Sequence, residues 1–116
     1  MYVAAASIEC SRITSEPTLH DEFDRVFGFF VGYGRNMDAW IDCMTYLDEP
    51  DAGMTSIHVE LGRVLSLELI DHAKLTRDNR DLYDAIVECS SFVNWRRIEQ
   101  GNQPVIALSM EGRVYE

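Results

Sequence analysis

Basic residues are scarce in this chain: 10 lysines and arginines stand against 20 acids, a formal net charge of −10. Such a protein repels nucleic-acid phosphates and anionic lipid, so direct binding to nucleic acid or to a membrane is not expected. The same charge attracts a basic protein partner, chiefly by speeding encounter. Cysteine is sparse as well. Cys10, Cys43 and Cys89 are odd in number and widely spaced, a poor disulfide framework. They form no Cys-x-x-Cys pair and no Cys/His cluster of the kind that holds zinc. Reduced thiols in a cytoplasmic protein are the expectation. No apolar run approaches a membrane span. The first residues lack the basic start and the apolar length of a signal peptide.

Catalytic groupings are missing too. There is no Ser/His/Asp set, no glycine-rich phosphate loop and no metal-ligand set. His20, His58 and His72 are scattered, and no two share metal-ligand spacing. Asp48, Glu49 and Asp51 lack the twelve-residue calcium loop with its closing glutamate, and are expected to be a solvated acidic loop. An enzyme is therefore not expected, and neither is a cofactor.

What is present is one core's worth of apolar residues, 47% of 116, enough for a single domain over residues 1–116. Residues 2–13 are apolar and partly β-branched, a strand pattern. Ser15 and Pro17 make a helix start. Leu19, Phe23, Val26, Phe27 and Phe30 then recur at spacings of three and four, one buried face of a helix over about 16–29. Gly28, Gly32 and Gly34 interrupt it, and a loop is predicted near 31–35. Asn36 is a good N-cap for a second helix over 37–47, with Trp40, Cys43, Met44 and Leu47 as its apolar stripe.

Residues 56–61 alternate Ile57, Val59 and Leu61 with polar side chains, and 64–70 alternate Leu65, Leu67 and Leu69. With Gly62-Arg63 between them, this predicts a hairpin. A short helical turn over 72–76 follows. A long helix capped by Asp78 or Asn79 then runs to about Gln100, with Leu82, Ala85, Ile86, Cys89, Phe92 and Val93 on its apolar face. Arg96 and Arg97 read as its solvated edge. Gly101 stops the helix, and 104–110 form a last strand. Strands alternating with helices imply an α/β layer with parallel pairs.

The segment Tyr33-Gly34-Arg35-Asn36-Met37-Asp38-Ala39-Trp40-Ile41-Asp42-Cys43-Met44 resembles the signature of the barstar family, Tyr-Gly-x-Asn-hydrophobic-Asp-Ala-x-x-Asp-Cys-hydrophobic. Leu67-Glu68-Leu69 is similar to that family's central strand, and 101–109 to its last. The resemblance implies a small, mostly parallel three-stranded sheet packed with helices. Here it would be extended by an inserted strand or hairpin around residues 50–63, before the central strand. It also implies an intracellular inhibitor that plugs a basic ribonuclease or toxin-like enzyme. Tyr33, Gly34, Asn36, Asp38, Ile41 and Asp42 would form the contact surface.

Two carboxylates four apart on a helix project side by side, and a carboxylate can imitate a phosphate toward arginine. Three family contact positions differ: Ile41 stands for a tryptophan, Gly32 for an aromatic residue and Arg96 for an acid. Those differences favour a second reading, the same fold reused for another protein contact. Asp38 also lies where the helix dipole stabilises an acid by about 0.3–1 kcal/mol. Gly34 can equally serve to give the loop a conformation other residues resist. Nothing in the sequence sets the oligomeric state.

Overall fold

The computed structural model describes residues 1–111; the last five residues of the predicted domain lie outside the described part. β1 (Ala5–Glu9) is followed by a 3-10 turn, Cys10–Arg12, and by α1 (Glu16–Phe27). The chain then forms α2 (Met37–Thr45), a second 3-10 turn at Pro50–Ala52, and β2 (Leu65–Ile70). α3 (His72–Asp78), α4 (Arg80–Glu99) and β3 (Ile106–Glu111) complete it. The three strands form one parallel sheet in the order β1-β2-β3, the α/β architecture expected.

Register explains the strand sequences. Ala6 pairs with Leu67 and Ile8 with Leu69, all buried, while Ser7 lies against Glu68 on the other face and donates to its carboxylate at 2.6 Å. The alternation in β2 therefore marks one buried face. It does not mark a hairpin. Both edges of β2 are taken by β1 and β3, which leaves residues 56–61 no edge of β2 to pair with. The predicted hairpin does not form. Only a single bridge joins Tyr2 to His58, and the turn before β2 is closed by Arg63 N–H donating to the Glu60 carbonyl at 2.9 Å.

The segment instead packs on the end of α1 and on the N-terminus. Ser56 N–H donates to the Phe27 carbonyl, His58 N–H to the Met1 carbonyl, and Val59 N–H to the Leu47 carbonyl. Thr55 and Val59 are buried there, and Leu61 is exposed. Gly28, which ends α1 in the left-handed conformation, is required by this packing: a Cβ would lie 2.5 Å from Ser56 Oγ.

α1 begins as predicted. Ser15 caps it through a reciprocal pair with Thr18, and Pro17 lies in its first turn. Phe30 falls beyond the helix end and is exposed, so the inward face stops at Phe27. Around the long α4, the buried positions are Ile86, Ser90, Val93 and Arg97. Phe92, expected on the buried face, is exposed, and Arg97, expected at a solvated edge, is buried. The core-facing line thus carries two polar residues, which an apolar periodicity search passes over.

Arg97 is held by four hydrogen bonds to three groups. It donates twice to the Asp48 carboxylate, at 3.0 and 2.7 Å, to the Thr45 carbonyl at 2.7 Å, and to the Gln103 carbonyl at 2.8 Å. Asp48 is therefore no solvated loop acid. With Arg97 it forms a buried bidentate pair that clamps the end of α2 to α4 and to the approach to β3.

Candidate functional site: the exposed face of α2

Asn36 starts α2 by accepting Ala39 N–H on its side chain at 2.8 Å. From that start the 3.6-residue repeat turns Trp40, Cys43 and Met44 fully inward, where Trp40 meets Phe23 edge-on. Asp38 and Asp42 consequently turn outward, and both are exposed. Ile41 is half-buried against the core. Trp40, its neighbour in sequence, offers no ring to the surface. The packed 50–63 segment leaves both carboxylates open to solvent.

The two aspartates differ. Asp38 has no hydrogen bond or ion pair among the described residues. Asp42 Oδ1 accepts from Arg96 Nη2 at 3.1 Å, and Arg96 donates also to Thr45 Oγ1 at 2.9 Å. Arg96 is thus spent on the chain's own carboxylate. The Asp42 side chain remains 54% exposed, so water weakens this pair and leaves the carboxylate open to an incoming cation.

The loop before α2 is tied to α1 at two points. Tyr33 is half-buried, with its ring on Phe29 and its hydroxyl 2.6 Å from His20 Nδ1. Arg35 donates to Asp21 at 2.9 Å and to the Pro17 carbonyl at 3.0 Å. The left-handed backbone of this loop falls on Arg35, φ 54°, and not on Gly34. At Gly34 a Cβ would lie 3.3 Å from Asn36 Nδ2, a tight contact that would press on the capping side chain. Tyr33, Gly34 and Asn36 therefore shape and hold the loop, and Asp38 and Asp42 supply its charge. The resemblance pointed to Arg96 as a contact position, but its pairing with Asp42 was not legible in the sequence, because only folding brings α4 alongside α2.

Burial pushes the Tyr33 phenol up, so it stays a neutral hydrogen-bonding group. Burial also raises the thiols of Cys10, to about 12, and Cys43, to about 11. All three cysteines are free, and the two buried ones are poor nucleophiles. Burial lowers the pKa of His20, although Glu16, 3.8 Å from its Nε2, pulls the other way, as does Asp21; Arg35 adds to the lowering.

A lowered native pKa means that the unfolded chain takes up the proton first. The His20 contribution to stability is therefore complete above pH 6.5 and is lost as the pH falls through that value. Glu22 acts in a separate, lower window. Burial would raise it, but Arg25 and the Glu9 N–H hold it below 4.5. Urea titrations at pH 7 and ~5.5 are expected to show a loss in wild type that His20→Gln largely removes. Equal slopes in both proteins would contradict this account of the loop anchor.

A small α/β protein that displays carboxylates on one helix, beside a loop pinned to the body, offers a charged surface suited to a protein contact. Its family follows from direct comparison. The profile of the barstar (barnase inhibitor) family matches residues 3–108, nearly the whole chain, and this protein belongs to that family. No individual curated protein matches it. Among the described residues, no group of histidines, cysteines and acids is placed to hold a metal ion, and no helix is long and apolar enough to cross a membrane.

Proposed function

We propose that this protein is a single-domain cytoplasmic inhibitor, or immunity protein, of a basic ribonuclease or toxin-like enzyme. On this reading Asp38 and Asp42 occupy the partner's phosphate-binding cleft, flanked by Tyr33, Gly34, Asn36 and Ile41. The protein itself catalyses nothing. The observation that supports the reading most is that both carboxylates project from a rigidly capped α2 into solvent, uncovered by the inserted segment. A carboxylate meets a guanidinium in the same bidentate geometry as a phosphate. The net charge of −10 would draw such an enzyme in.

Titrating a barnase-type ribonuclease with the purified protein tests this directly. Stoichiometric loss of RNA cleavage is the expected result. Absence of inhibition at micromolar protein favours the second reading, which Ile41, Gly32 and Arg96 at family contact positions support: the fold reused for a different protein contact.

Arg96 gives the reading a kinetic signature. Removing it frees Asp42 and makes the face more negative. Arg96→Ala is expected to raise the association rate with the nuclease several-fold at low salt, and the gain should vanish at high salt. Stopped-flow association across a salt series measures the gain and its loss. Arg96 is only 27% exposed and also donates to buried Thr45, so melting curves run in parallel separate any stability loss from the rate effect.

A further inference from the structure

α4 carries a second exposed feature, unrelated to its core contacts. Phe92 and Trp95 are 44% and 55% exposed, with ring centroids 5.6 Å apart, and Ile98 is 53% exposed a turn further on. Large aromatic groups left in water cost free energy unless something covers them. Phe92 stands one helical turn before Arg96, which reaches Asp42 on α2, and three residues after Cys89. The i, i+3, i+7 spacing puts Cys89, Phe92 and Arg96 on one line along α4. The aromatic pair therefore adjoins the carboxylate face of α2.

Glu88 and Glu99 are exposed on the same outward side of α4 as Trp95. Their charge selects the occupant. A second copy of this chain, at −10, would be repelled, as would nucleic acid or an anionic membrane. A basic protein surface with an apolar patch fits. Its cations would meet Asp38, Glu88 and Glu99, and one could lie over the Trp95 ring.

We propose that Phe92 and Trp95 form a second, apolar anchor of the partner-binding surface beside the carboxylates of α2, with Glu88 and Glu99 as its charged rim, and that one basic enzyme covers both. This rests on the inhibitor reading above and adds the residues that set partner choice. The arrangement matches the anatomy of strong interfaces, where a few buried aromatic and charged anchors carry most of the binding and a polar rim surrounds them.

The test compares the dissociation constants of wild type, Asp42→Ala, Phe92→Ala/Trp95→Ala and Leu61→Ala for a barnase-type ribonuclease. Circular dichroism confirms that each variant is folded. Leu61 is 84% exposed on the inserted segment and controls for general loss of surface apolarity. The double aromatic variant is expected to weaken binding at least ~10-fold, with Leu61→Ala unchanged. Trp40 is fully buried, so a blue shift of the exposed tryptophan's emission on complex formation should come from Trp95 and disappear in the double variant. Weakening by Asp42→Ala alone overturns this inference and leaves the inhibitor reading intact. No binding by wild type overturns both.

Discussion

Asp48→Ala is expected to destabilise the fold by about 3–5 kcal/mol, a loss typical of a buried ion pair deprived of one partner. That is a large share of the roughly 5–15 kcal/mol that holds a domain of this size folded. The thermal midpoint should fall by more than about 10 °C. The cause is specific. Arg97 is 4% exposed, and without the carboxylate its guanidinium keeps only the Thr45 and Gln103 carbonyls. Arg97→Met is expected to cost more, because it orphans the Asp48 carboxylate and both carbonyls together. Urea denaturation of the two variants measures the order. A loss of less than about 1 kcal/mol in either would show that the clamp is screened like a surface pair. The clamp also bears on function, since it fixes α2 against α4 and with it the spacing of Asp42 and Arg96.

Asp42→Ala is expected to leave stability nearly unchanged, because among the described residues its carboxylate makes one ion pair and is itself half-exposed. Its effect should fall on binding. Truncating a carboxylate at the desolvated centre of an interface costs on the order of 2 kcal/mol or more, about 30-fold in the dissociation constant. The strongest known cases include an aspartate of barstar itself, so the upper end of that range belongs to this family already. Asp38→Ala should act similarly, with an added stability loss of up to ~1 kcal/mol from the helix dipole. The double variant is not expected to be additive, since one cleft would receive both groups. Calorimetric titration against a barnase-type ribonuclease, with melting curves in parallel, separates binding from folding. An unchanged dissociation constant for Asp42→Ala would remove this carboxylate from the interface.

Arg96 divides the two effects. It sits between a group that holds the fold, Arg97, and one that faces a partner, Asp42. One residue along α4 separates a buried clamp from a solvent-screened contact, because successive side chains on a helix are turned by about 100°.

The local elements were legible in the residues. The Ser15 and Asn36 caps, Pro17, the apolar stripe of α2 and the alternation of β2 each report a neighbourhood of a few residues, where chain geometry alone dictates the pattern. So do the two aspartates four apart on a helix whose other side is apolar. Long-range pairing was not legible. The same alternation fits a hairpin and a central parallel strand, and only the occupation of both β2 edges decided between them. Arg97 with Asp48, 49 residues apart, and Arg96 with Asp42, 54 apart, look like solvated charges until α4 is laid against α2. Charge in a sequence has no burial attached to it. Burial is a property of the packed chain, and here it made one arginine a structural clamp and left its neighbour at the edge of the binding face.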